Sequence, residues 1–178
     1  DNTWLERNQA IQDGTKELQR EWQKKLALHD AKKNTLKVID LAKVDFNLHE
    51  KWPLADNSVG VLDACHVINQ IEDKEFTMSE IYRVLNDKAW AFIEIPSTDG
   101  RGAFQDPRHK SYWNENSFWY WTRRQHADFI NNNSVRFQSI DSYTNFPNKF
   151  FEENNIPCSY TILRAKKADT KRPGSTAI

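Results

Sequence analysis

Residues 89–95, Ala-Trp-Ala-Phe-Ile-Glu-Ile, read as a buried strand, and Pro96 closes it. A second strand pattern, Val-Gly-Val-Leu-Asp-Ala-Cys, covers residues 59–65. Between them Asp73 is placed to cap a helix that carries Phe76, Ile81, Val84 and Leu85 on one side. Strand, helix, strand in this order predicts a βαβ unit with two parallel strands. That unit constrains the chain more than anything else in it, because parallel strands need cover on both faces of their sheet.

The flanking segments supply candidates for the cover. Trp4, Ile11, Leu18, Trp22 and Leu26 recur at spacings of seven and four, which predicts a helix over residues 3–33 with one thin apolar stripe. Glu21 and Lys25 form a favourable i,i+4 pair, and Gly14 is expected to weaken or split the helix. Such a helix either docks by its stripe or stands as a coiled-coil-like arm, a route to a homo-oligomer. Leu36–Leu41 reads as a short strand and Val44–Leu48 as a candidate second one. Residues 52–58 carry turn chemistry. Residues 97–115 form a long polar connection, connections of that length are usually functional, and its Gly100 and Gly102 mark a mobile loop where a substrate would enter. Ser117 is expected to cap a helix running to about Asn131, and Val135–Tyr143 and Ser159–Ala165 read as two last strands. These patterns divide the chain into a helical arm (1–34), a domain (35–167) and a flexible tail (168–178).

Charge and composition exclude several classes. Lys and Arg total 25, as do Asp and Glu, so bulk charge does not drive binding to nucleic acid or an anionic membrane. The run Phe118-Trp-Tyr-Trp121 could stack on single-stranded bases, but no basic groove accompanies it, and core packing is the expected use. No apolar stretch approaches a membrane span and no signal-peptide pattern opens the sequence, so a cytoplasmic location is expected. Cys65 and Cys158 form no CxxC, and Cys65, inside an apolar run, is expected to be a buried, inert thiol. Asp99, Asp106 and His109 lie close in sequence but lack helical metal-ligand spacing, so no metal is expected. Glycine is scarce, 5 in 178 residues, where average usage of about 7% gives roughly 12. Little is therefore left for a glycine-rich loop.

Three segments carry a resemblance. They are LADNSVGVLDACHVINQIED (54–73), EIYRVLNDKAWAFIEIPS (80–97) and DPRHKSYWNENSFWYW (106–121). Together with NIPCSYTILRAKK (155–167) they resemble the class I S-adenosylmethionine-dependent methyltransferases, and the third resembles a subgroup carrying a DPxH…ENSF segment. The resemblance implies an α/β, Rossmann-like methyltransferase fold: a mostly parallel sheet, a C-terminal antiparallel hairpin, and here an N-terminal helix and reduced first strands. It implies S-adenosylmethionine as cofactor, across the carboxyl ends of the first strands. The acceptor it suggests is a small molecule or glycan intermediate. Transferred residue by residue, it makes Asp40 the ribose ligand if residues 36–42 are the family's second strand, and puts Asn47 and Leu48 at the adenine with Cys65 nearby. If residues 36–42 are the first strand, the glycine turn that should follow is absent. Trp52 could stack near the adenine or cover the sheet edge.

His66 would face the methyl end of the cofactor or serve as a cap. His109 is the candidate base, with a loop-ordering hydrogen bond as the alternative. Asp106 would orient His109 or cap a turn. Arg101 and Arg108 could bind an anionic acceptor beside Trp113. The sequence also departs from the family. No GxGxG is present, Asn47 replaces the adenine-binding Asp, Asn69-Gln70 replaces a Glu-His, and Asp87-Lys88-Ala89 replaces a Pro-Gly-Gly turn. A catalytically degenerate protein of the same fold, acting as a binding or assembly module, is therefore the alternative function.

Overall fold

A computed structural model describes residues 3–167; the expected flexible tail lies outside them. The elements in chain order are α1 (Thr3–Lys33), β1 (Lys37–Asp40), β2 (Val59–Cys65), α2 (Lys74–Val84), β3 (Leu85–Pro96), the short α3 (Gly102–Gln105) and α4 (Trp119–Thr122), β4 (Phe137–Asn145), the short α5 (Lys149–Glu153) and β5 (Cys158–Ala165). Five strands form one sheet in the order β1-β2-β3-β5-β4. β1, β2 and β3 are parallel neighbours, and β5 runs antiparallel to both β3 and β4. The βαβ unit and the closing antiparallel pair are as the sequence predicts. Asp73 caps α2 by accepting from the Phe76 amide at 2.9 Å.

Strand alternation sends side chains to the two faces of the sheet. Leu62, Ala64, Ala91, Ile93, Ile95 and Leu163 meet Met78, Ile81 and Val84 of α2 in the main core, closed by Trp52, Trp113, Phe118 and Trp121. On the other face Val61, Trp90, Phe92 and Ile162 meet Ala27 and Ala31 of α1, with Leu36 and Ile140 packed against them.

α1 is one continuous helix, so Gly14 does not split it. Its docking face is also not the expected stripe. Leu18 and Trp22 are 67% and 66% exposed, and Leu26 is exposed as well. The helix docks instead through Lys16, Arg20, Lys24, Ala27 and Ala31, a row at spacings of four and three. That row is offset from the apolar stripe by two residues, about 200° around the helix. Lys16 pairs with Asp141 at 2.9 Å and Lys24 with Asp63 at 2.6 Å. The Arg20 guanidinium lies 4.0 Å from the Tyr160 ring centroid. The sheet presents acids and aromatic rings on this face, so cations are the complementary surface. A Cβ at Gly14 would meet nothing within 4 Å. Gly14→Ala should therefore raise stability by about 1 kcal/mol, measured by urea unfolding; an unchanged midpoint would show that this part of α1 is not coupled to the domain.

Val44–Leu48 forms no strand. Asp40 caps a 3-10 turn at Leu41–Lys43, and Leu41 is buried in the main core. The expected helix after Ser117 is broken into a 3-10 turn (Glu115–Phe118), α4 and a second 3-10 turn (Arg124–Phe129). Its cap is Asn114, which accepts from the Asn116 amide, while Ser117 Oγ accepts from the Asn114 amide. With few glycines, left-handed backbone falls on Thr35, Asn57, His66, Lys88 and Asn155 among the described residues. Lys88 occupies the turn where the family has Pro-Gly-Gly.

Candidate active site

The carboxyl ends of three parallel strands lie side by side, the place where open α/β sheets bind ligands. Asp40 ends β1, Cys65 ends β2, and Glu94 stands two residues before the end of β3. Cys65 and Glu94 are register partners, so their side chains share a face. The Cys65 thiol donates to Glu94 Oε2 at 2.7 Å. Lost hydration around the sulfur, then the Glu94 hydrogen bond and the Glu94 and Asp40 charges, push this thiol up to about 12. Cys65 is thus exposed and protonated, whereas the sequence suggested a buried thiol; the buried one is Cys158.

His66 follows with φ 55°, a strained conformation for a non-glycine residue. Its amide donates to the Glu94 carbonyl at 2.8 Å, and its Nε2 lies 3.8 Å from Glu94 Oε2. Tyr160, opposite Glu94 in the register, is held protonated by burial and by the neighbouring Glu94 carboxylate. Glu94, Tyr160 and Arg20 are site residues that the sequence analysis missed. A lone carboxylate near the C-terminal end of the apolar run AWAFIEI was the available signal.

The other candidates are placed as follows. Asp40 Oδ1 accepts from the Ala42 amide at 3.0 Å, and Oδ2 lies 3.6 Å from Lys43. Asn47 Oδ1 accepts from the His49 amide, and the Leu48 carbonyl accepts from Trp52 Nε1 at 3.1 Å. Trp52 is buried, so it covers the core. His109 is tied at both ring nitrogens, Nδ1 to the Ala103 carbonyl at 3.0 Å and Nε2 to the Asn69 amide at 3.1 Å. A carbonyl can only accept, so Nδ1 carries the proton and Nε2 accepts from Asn69. This is the loop-ordering geometry. Asp106 caps its own turn by accepting from the Arg108 amide, and it binds the Arg108 guanidinium at 2.6 Å. Those Arg108 hydrogen bonds hold the Asp106 carboxyl well below the usual carboxylate range. Arg101 is exposed. Trp113 lies in the core, where its indole donates to Ser111 Oγ at 2.8 Å and it stacks on Phe118, so it offers no surface to an acceptor.

The long connection is strapped down. The Ser97 amide donates to the Pro157 carbonyl at 2.8 Å, Arg101 to Asn155 at 2.8 Å, and both Lys110 and Ser111 to Asn69. Gly100 and Gly102 pack directly against residues 155–157. They mark a close approach of two backbones, where the sequence suggested a mobile entrance.

Comparison with known proteins fits this geometry. The methyltransferase domain family model matches residues 16–93, from the docked part of α1 through most of β3. Over those residues the chain is similar to a methyltransferase domain. A chain of the complex between the Haloferax volcanii methyltransferase activator Trm112 and a methyltransferase shows the same fold. It is 12% identical, with 68% of this chain and 60% of that chain covered and a TM-score of 0.51. A methyltransferase from Methanosarcina mazei is 12% identical, with 68% and 65% covered and a TM-score of 0.47. One from Aquifex aeolicus is 14% identical, with 77% and 60% covered and a TM-score of 0.45. The chain spans 57–65% of the length of the first solved relatives it matches. Comparison with curated proteins gives no match.

In this sheet β1 pairs with β2, the place a doubly wound sheet gives its first strand. The second-strand reading of residues 36–42 is thereby corrected. The turn that follows carries the buried Leu41 in place of glycine amides. Among the described residues, no helix is long and apolar enough to cross a membrane.

Proposed function

We propose that the domain binds S-adenosylmethionine along the carboxyl ends of β1–β3 and transfers its methyl group to a small-molecule or glycan-type acceptor. The observation that carries this reading is the electrostatics of that edge. The Asp40 and Glu94 charges help keep the Cys65 thiol protonated. The same field attracts a positive ligand, and a sulfonium with an α-ammonium group is doubly positive before its carboxylate is counted. The donor set therefore fits the cationic part of the cofactor. At the end of a strand in the first-strand position, Asp40 would face the cationic end of the cofactor and not its ribose, Asn47 and Leu48 would lie at the adenine, and Cys65 beside them.

The cofactor would supply an electrophilic methyl group. The protein's part is placement and proton handling. His66 Nε2 faces Glu94 and is the ring placed to take a proton from an acceptor. His109 holds residues 103–109 against Asn69. Arg101, with Arg108 after release from Asp106, would meet an anionic acceptor. Calorimetric titration of the natural full-length protein with S-adenosylmethionine should show binding, weakened in Asp40→Asn; no heat of binding at millimolar cofactor would refute the reading.

A second reading has its own support. The turn after β1 offers no glycine amides for the methionine end, and Leu18, Trp22 and Leu26 leave an apolar stripe on the outer face of α1. Both fit a degenerate module that pairs with a second copy through α1. Sedimentation of a Trp22→Glu variant beside the parent separates the two readings, because only the module reading predicts a change of oligomeric state.

A further inference from the structure

The geometry points to a transition-metal site of the zinc type formed by Cys65 Sγ, His66 Nε2 and Glu94, with one coordination position left open. The proposal rests on the placement of these three side chains and not on the methyl-donor reading, which uses the same groups, so metal and donor would compete for this edge. The three ligand atoms lie within 4.8 Å of one another, although 28 residues separate His66 from Glu94. Zinc bonds of about 2.0–2.3 Å put tetrahedral neighbours about 3.3–3.5 Å apart. The His66–Glu94 distance of 3.8 Å is close to that, and the Cys65–Glu94 distance of 2.7 Å must open by less than about 1 Å.

The backbone makes this grouping in two ways. Parallel register brings Cys65 beside Glu94. Successive strand residues point to opposite faces, so residue 66 would normally point away from Cys65. The left-handed φ at His66 breaks that alternation and places the ring on the same side as the thiol. Tyr160, the register partner of Glu94 on β5, is the neighbour placed to give the outer support that metal-binding carboxylates usually have. Thiolate, imidazole and carboxylate together select zinc-like ions over magnesium or calcium.

Binding replaces the Cys65 S–H bond with an S–metal bond, and the proton leaves to solvent. A dipositive ion with one thiolate, one carboxylate and one neutral imidazole gives a site of zero net charge. Beside it, a groove of about 280 Å³ between α1 and the sheet is lined by Arg20, Phe92 and Tyr160. The open position would take a water or a small anionic ligand next to the Arg20 guanidinium. The other cations of α1 on this face, Lys16 and Lys24, are already paired with Asp141 and Asp63.

Cobalt(II) titration of the full chain under reducing conditions tests the proposal. One ion per chain is expected, with a thiolate-to-cobalt charge-transfer band in the near ultraviolet and loss of the ion to added zinc. Cys65→Ser should abolish the band, and Cys158→Ser should keep it. Glu94→Gln and His66→Asn should each weaken binding by at least the roughly 10–100-fold that loss of an outer-shell partner costs; asparagine is chosen because it tolerates a positive φ. Far-ultraviolet circular dichroism of each variant establishes that it is folded. No band in the parent protein, a band that survives in Cys65→Ser, or an affinity unmoved by both Glu94→Gln and His66→Asn would overturn the site.

Discussion

Glu80→Leu should lower the stability of the domain by about 3–5 kcal/mol, the largest loss expected from a single carboxylate here. The Glu80 and Arg83 side chains are 9% and 18% exposed and meet at 2.8 Å on the last turns of α2. Glu80 Oε2 also accepts from the Trp52 amide at 2.9 Å. Arg83 donates to the Leu54 and Trp52 carbonyls at 2.7 and 2.9 Å and reaches Asp56 at 2.8 Å. One ion pair therefore satisfies the backbone of the 52–58 loop and seats Trp52 in the core. Removing Glu80 leaves a largely buried guanidinium and an unpaired amide. Replacing both residues, Glu80→Leu with Arg83→Met, should recover much of the loss, because no charge is then stranded. Urea unfolding followed by tryptophan fluorescence measures both variants.

The same pair gives a pH signature. Burial raises the Glu80 pKa, but its bonds from Arg83 and the Trp52 amide outweigh that, so the carboxyl sits below its ordinary value near 4.5. Asp56 is lowered as well, chiefly by Arg83. A carboxyl with a lower pKa in the folded state stabilises fully above its unfolded value and loses that contribution as pH falls through the folded one. Stability should hold above about pH 5 and fall below about pH 4. In the double variant the Glu80 part of that fall should vanish.

Gly100→Ala should cost about 3 kcal/mol. An added Cβ would stand 2.2 Å from Pro157 Cδ and 2.5 Å from the Asn155 carbonyl oxygen, and neither a proline ring nor a backbone carbonyl can rotate away. The clash falls on the contact that straps residues 97–101 to the β4–β5 connection, including the Arg101–Asn155 hydrogen bond. Hydrogen exchange should show faster opening at the Ser97 and Arg101 amides. Exchange unchanged at these two amides, with stability intact, would mean that the strap is not closed in solution.

The parts legible in the sequence are those with strong local rules. The period-two apolar runs, the Asp73 cap and the turn chemistry gave β2, α2 and β3, because each is decided by neighbouring residues. The family segments gave the sheet's closing antiparallel pair. The docking of α1 was not legible, since its contacts are cationic and their partners, Asp63, Asp141 and Tyr160, come from three separate strands. Apolar periodicity found the opposite face. Gly100 and Gly102 read as freedom, whereas they serve close approach to residues 155–157, a contact no local pattern encodes. Glu94 went unnoticed because a strand pattern weighs its apolar neighbours. Its meaning appears only when register sets it beside Cys65 and opposite Tyr160. His109 and Trp113 have the composition of site residues, but hydrogen bonding and burial give them structural work.

The central claim is that the carboxyl ends of β1–β3 hold the methyl donor. Amide-resolved nuclear magnetic resonance of the full-length protein, titrated with S-adenosylmethionine, tests it most directly. The account predicts saturable shifts clustered at residues 40–42, 65–67 and 94–98. Shifts confined to the cavity of about 540 Å³ between residues 115–125 and the β4–β5 pair, or no shifts at millimolar cofactor, would contradict it.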